Sequence, residues 1–77
     1  MAGQRILITG AAGSIGSELV RQVASSDPEM VILYDWSETG MFDLRNEMLS
    51  RGRADKLTCV VGDVKDRSRL RSLTNEL

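Results

Sequence analysis

The chain has 77 residues, 42% of them hydrophobic and 27% charged, with a formal net charge of −1. That length allows one domain at most, near the lower limit for a self-sufficient core, and that composition excludes intrinsic disorder. The apolar runs are a few residues long, far short of the roughly 20 that a spanning helix needs, and no leader-type start is read. Cys59 is the only cysteine and histidine is absent, so internal disulfides, zinc-finger signatures and His-based triads lack their residues. The unpaired cysteine fits a reducing, cytoplasmic location. Charge is uneven: residues 1–50 hold three basic and seven acidic side chains, residues 51–77 seven and four. So small a basic excess, with Tyr34, Trp36 and Phe42 as the only aromatics, argues against nucleic-acid binding.

The first element is Arg5-Ile6-Leu7-Ile8-Thr9, a nearly continuous β-branched run of the kind buried in parallel sheets. It leads directly into TGAAGSIGSEL, Thr9 to Leu19, where Gly10, Gly13 and Gly16 recur every third residue. From Ser14 to about Ala24, Ile15, Leu19 and Val23 recur every fourth residue and predict one core-facing helical face, widened by Val20. Ser25-Ser26-Asp27-Pro28 ends that helix. Met30 to Asp35 reads as a second buried strand, closing on a carboxylate. In Trp36-Ser37-Glu38-Thr39, either Ser37 or Thr39 suits the cap of a helix from about Gly40 to Arg51. Met41, Leu44 and Met48 form its stripe, with Phe42 and Leu49 beside it and Gly52 at its end. Leu57 to Val61 is a third strand, stopped at Gly62, and Asp66 caps a last helix with Leu70, Leu73 and Leu77 on one face.

This β-α-β-α-β-α order, with connections long enough for right-handed crossovers, predicts a Rossmann-like α/β fold. The strands form a parallel sheet of order 3-2-1, one mononucleotide-binding half of a doubly wound fold. No repeat, low-complexity tract or linker divides the chain.

The glycine turn has a chemical reading. A strand that runs straight into a helix leaves the first helical amides unpaired and the positive end of the dipole facing the turn, where an anion gains hydrogen bonds. Gly10 permits the tight exit from the strand, Gly13 removes a Cβ where a pyrophosphate approaches, and Gly16 lets the helix lie close on the first strand. Ser14 and Ile15 offer main-chain N–H groups, and the Ser14 hydroxyl a further donor. Three glycines alone also describe a plain turn. Their position between a strand and a helix, with Asp35 following Gly16 by 19 residues, fits a dinucleotide fingerprint.

Asp35 suits a free ribose 2′-hydroxyl and repels a 2′-phosphate, and neither the glycine turn nor Trp36-Ser37 supplies a cation. NAD is therefore expected over NADP, with Arg45 the side chain to watch. The alternative for Asp35 is a strand-end residue that caps the following loop. Gly62-Asp63-Val64 closes the third strand where an adenine would lie. Asp63 suits the exocyclic amine and the Val64 N–H a ring nitrogen, while a plain turn aspartate remains the alternative.

TGAAGSIGSELVRQ, LYDWSE and GDVKDRSRL together resemble the extended short-chain dehydrogenases/reductases, and among them the UDP-N-acetylglucosamine 4,6-dehydratase type of bacterial polysaccharide biosynthesis. The resemblance runs from about Arg5 to Leu73. It implies that Gly10, Gly13, Ser14, Ile15 and Gly16 line the pyrophosphate, Asp35 and Ser37 the ribose, and Asp63 with Val64 the adenine. It also implies a tightly held NAD(P) that oxidises C4 of the sugar, with elimination of water across C5–C6 and return of the hydride. The family's catalytic lysine motif, acid/base pair and sugar-nucleotide pocket match nothing in residues 1–77. These residues are thus expected to be the N-terminal part of an NAD(P)-binding domain, not catalytic alone, with a UDP-sugar as substrate of the full-length parent. A non-catalytic nucleotide-binding module and a self-associating assembly piece are the competing expectations.

Trp36 is expected to pack over the start of the second helix or to sit partly exposed, with adenine stacking the alternative. Arg67 and Arg71 read as a solvated face, and Cys59 as a small buried hydrophobe. With no strand to follow the third, the Arg5–Thr9 edge is left open, which predicts self-association of two chains at their first strands.

Overall fold

The computed structural model describes residues 2–77. The element order is β1 (Arg5–Thr9), α1 (Ser14–Ala24), β2 (Met30–Asp35), α2 (Glu38–Ser50), β3 (Leu57–Val61) and α3 (Arg67–Asn75). All three strands match the residues expected of them. Helix α2 begins two residues before Gly40, because Ser37 caps it: its hydroxyl accepts from the Gly40 N–H at 3.1 Å. Thr39 lies inside the helix. Asp66 caps α3 as expected, accepting from the Arg69 N–H at 3.1 Å.

The strands are parallel in the order β1-β2-β3, which is 3-2-1 read from the other edge. Strand β2 is central, with Leu7 opposite Ile32 and Leu33 opposite Cys59. Its Val31, Ile32, Leu33 and Tyr34 are all fully buried. That explains an unbroken apolar run where a half-covered strand would alternate. Val31 and Leu33 face one side, joined in a single core by Ile8, by Val20, Val23 and Ala24 of α1, and by Met41, Leu44 and Met48 of α2. Ile32 and Tyr34 alternate to the other side. Leu70 and Leu73 of α3 and Leu77 beyond it are half-buried, and the Arg5 guanidinium donates to the Leu77 carbonyl at 3.2 Å.

Two helical faces differ from expectation. Ile15 is 86% exposed and Leu19 44%, so of the face expected on α1 only Val20 and Val23 are buried. The buried row is Val20, Val23 and Ala24, in line with Gly16. A Cβ on Gly16 would lie 2.8 Å from the Gly10 carbonyl carbon and 3.1 Å from the Ala11 Cα. This close approach turns the Gly16 side of the helix onto the strand and swings Ile15 and Leu19 outward. Phe42 and Leu49, expected beside the α2 stripe, are likewise exposed.

Helices α1 and α2 share one side of the sheet and are joined by charge. Arg21 Nε and Nη2 donate to Glu47 Oε2 and Oε1 at 2.6 and 2.9 Å, a bidentate pair. Arg51 Nη2 adds a contact at 3.2 Å to Glu47 Oε2.

Candidate functional site

The turns that follow β1, β2 and β3 all lie at the carboxyl edge of the parallel sheet, the edge at which such folds place ligands. The turn after β1 is built on Gly10, whose φ of +65° is left-handed and costs glycine nothing. Its carbonyl accepts from the Gly13 N–H at 3.1 Å, closing the turn. Gly13 then stands as the N-cap of α1, with no side-chain hydrogen bond.

That bare cap sets α1 apart. Ser37 caps α2 and Asp66 caps α3, each with a side-chain oxygen. In α1 the first amide bonded within the helix is that of Ser17, to the Gly13 carbonyl at 2.8 Å. The N–H groups of Ser14, Ile15 and Gly16 find no acceptor among the described residues, and no acidic side chain sits in that first turn. Three free amides at the positive end of a helix dipole suit an anion.

Asp35 ends β2 and is 6% exposed. Its Oδ2 accepts from the Ala12 N–H at 3.0 Å and its Oδ1 from the Ser37 N–H at 2.8 Å. The loop-capping role is therefore present, and it extends further than the β2 loop because Ala12 belongs to the glycine turn. Each carboxylate oxygen keeps a second lone pair for an outside donor. The Ser37 hydroxyl accepts in its helix cap and keeps its own O–H to donate. Trp36, between them, is 80% exposed, in keeping with the exposed reading.

After β3, the Gly62 N–H bonds the Asp35 carbonyl at 3.0 Å, which ties the second and third turns together. Asp63 Oδ1 accepts from the Lys65 N–H at 2.9 Å, so Asp63 also supports its own turn. Asp63 and Val64 are exposed. The structure thus gathers Gly10, Gly13, Ser14, Ile15, Gly16, Asp35, Ser37, Asp63 and Val64 along one sheet edge.

Ala12 and Tyr34 also belong to this edge, without a motif that marks them. Nothing in an alanine's identity signals that its amide meets a carboxylate 23 residues on. Tyr34 carried a weak signal: a phenol in an otherwise aliphatic strand needs a partner for its hydroxyl.

Other candidates fall away. Burial pushes the Cys59 thiol above its ordinary value, against a smaller opposing effect of Arg45, which keeps it protonated and unreactive. No cluster of metal-ligating side chains occurs among the described residues, and none of their helices is long and apolar enough to cross a membrane. A cavity of about 170 Å³, lined in part by Pro28, Gly52, Arg53 and Lys56, lies at the opposite edge, where the strands begin.

The family model described as "Polysaccharide biosynthesis protein" matches residues 6–77. An uncharacterized membrane protein of Methanocaldococcus jannaschii is 38% identical over 72 residues, covering 94% of this chain and 20% of its own length. The capsular polysaccharide biosynthesis protein CapD of Staphylococcus aureus is 35% identical over 77 residues, covering 99% of this chain and 13% of its own. The chain therefore spans a fifth or less of these relatives. Among solved structures, a protein described as a short-chain dehydrogenase from Novosphingobium aromaticivorans superposes with a TM-score of 0.85 at 24% identity, over 97% of this chain and 27% of that one. A short-chain dehydrogenase/reductase from Burkholderia phymatum in complex with NAD gives 0.82 at 21% identity, over 97% and 26%. Sequence match and superposition agree: the chain belongs to the polysaccharide biosynthesis protein family and has the fold of the short-chain dehydrogenases.

Proposed function

We propose that this chain forms the adenosine-diphosphate half of a dinucleotide site, taking NAD in preference to NADP. The parent activity would be of the nucleotide-sugar dehydratase or epimerase type, acting on a UDP-sugar in the cytoplasm, with its catalytic groups outside residues 1–77. The observation that carries the reading is the bare N-terminus of α1, whose free amides stand in a turn held by the Asp35 carboxylate. On this reading Gly10, Gly13, Ser14, Ile15 and Gly16 receive the pyrophosphate, Asp35 with Ser37 the ribose, and Asp63 with Val64 the adenine. The dinucleotide, when bound, supplies the hydride acceptor. The chain's own residues bind and orient its adenosine end. A Burkholderia phymatum protein of the same fold, solved with NAD, lends support by analogy.

A buried carboxylate facing the ribose favours NAD, since a 2′-phosphate there would set two anions together. Calorimetric titration of NAD, NADP, ADP and AMP into the chain tests this. The expected order is NAD and ADP binding, with NADP weaker. No heat from any of them, with an intact circular dichroism spectrum, would overturn it.

A second reading concerns self-association. Strand β1 pairs only with β2 among the described residues, and α1 leaves Ile15 and Leu19 exposed. We propose that two copies pair at the open β1 edge, as unpaired strand edges do. Sedimentation velocity over a range of concentrations tests it, and a monodisperse monomer at high concentration overturns it.

A further inference from the structure

Tyr34 is fully buried, yet its hydroxyl reaches the β3 turn and donates to the Asp63 carbonyl at 2.7 Å. The same carbonyl accepts from the Asp66 N–H at 3.0 Å, at the entry to α3. Above the phenol ring sits Gly62, where an added Cβ would lie 2.7 Å from the Tyr34 Cζ. Hydroxyl and ring together thus hold the Gly62–Val64 turn against the end of β2.

The Asp63 carbonyl belongs to the same peptide unit as the Val64 N–H. That unit is planar and trans, so its C=O and N–H point in opposite directions. Fixing the carbonyl inward with two donors fixes the Val64 N–H outward. The Asp63 side chain is set as well: Oδ1 is taken by the Lys65 N–H, and Oδ2 has no partner among the described residues. One donor and one acceptor are therefore held side by side at the exposed lip of β3. That is the complement of adenine's ring nitrogen and exocyclic amine. Hypoxanthine inverts both groups, offering an N–H and a carbonyl oxygen, and would meet a donor with its N–H or an acceptor with its oxygen.

We infer that Tyr34 is a positioning residue for base recognition, which selects adenine by locking the Asp63–Val64 peptide without touching the base. This rests on the adenosine site proposed above. A residue that merely stabilises the fold would weaken all nucleotides alike, whereas this role separates them.

The test is titration of ADP and IDP into the wild-type chain and into Tyr34→Phe, which keeps the ring and removes the donor. Wild type is expected to favour ADP over IDP by about tenfold, and Tyr34→Phe to lose that preference through ADP alone, its IDP affinity unchanged. Gly62→Ala displaces the same turn with the hydroxyl intact and is expected to erase the preference too. An unchanged ADP-to-IDP ratio in either folded variant, or equal losses for both ligands, overturns the inference while the nucleotide site stands. A wild-type chain that binds neither ligand overturns the site reading, and this inference with it.

Discussion

Asp35 Oδ2 accepts a hydrogen bond from the Ala12 N–H at 3.0 Å, which joins the end of β2 to the glycine turn that follows β1. The carboxylate that would hold a ribose thus also holds the loop that would hold its phosphates. The two parts of the site are positioned by one side chain.

Replacing that side chain should therefore cost stability as well as binding. Asp35→Ala leaves the half-buried Ala12 and Ser37 amides without their acceptor. A fully buried unsatisfied donor costs about 1–3 kcal/mol, and the loss here is at the lower end because water reaches these amides. We expect a lower midpoint in urea denaturation and no NAD binding. Asp35→Asn keeps one acceptor oxygen and should be the milder of the two. A midpoint unchanged in Asp35→Ala would show that the contact holds nothing.

The glycines should separate fold from ligand. A Cβ on Gly16 meets main-chain atoms of Gly10 and Ala11, which cannot move aside cheaply, so Gly16→Ala should cost about 1–3 kcal/mol. A Cβ on Gly13 meets the Gly10 carbonyl oxygen at 3.4 Å, an ordinary contact, and its φ of −72° suits any residue. Gly13→Ala should keep the wild-type melting curve and lose NAD affinity by about tenfold or more. Equal NAD affinity in Gly13→Ala would remove the pyrophosphate from this turn.

Acid should weaken the junction between α1 and α2. The hydrogen bonds from Arg21 hold the Glu47 carboxyl below its ordinary value, against an opposing effect of burial and with help from the Arg21 and Arg51 charges. The folded state thus binds fewer protons here than the unfolded one. The stabilisation is present at neutral pH and is lost as pH falls from about 4.3 through the lower folded value. Glu47→Gln should flatten that part of the stability profile and leave its slope near pH 7 unchanged. Urea midpoints measured between pH 3 and 7 check it.

Self-association should rise with concentration in sedimentation velocity. Leu19→Lys places a charge on the exposed flank of α1, where surface changes shift stability by only about 0.5 kcal/mol. It should leave the melting curve in place, and weaker dimerisation would extend the contact from β1 to that flank. A monodisperse wild-type monomer at high concentration removes the proposal.

Much of this architecture could be read along the chain because its causes are local. The apolar runs at Arg5–Thr9, Met30–Asp35 and Leu57–Val61 are bounded by glycine or polar breakers, and all three became strands without change. The glycine spacing and the position of Asp35 at a strand end are likewise linear facts, and parallel crossovers bring strand ends together on one edge. What the chain order could not supply is which atoms then meet. Periodicity gives the spacing of apolar residues around α1 but not the helix's rotation. The contact between Gly16 and the Gly10 carbonyl sets that rotation and leaves Ile15 and Leu19 outside. The Asp35–Ala12 and Tyr34–Asp63 bonds span 23 and 29 residues. They exist because neighbouring strands hold these groups within hydrogen-bonding reach, a distance determined by sheet pairing and helix packing, to which no local pattern of residue types gives access.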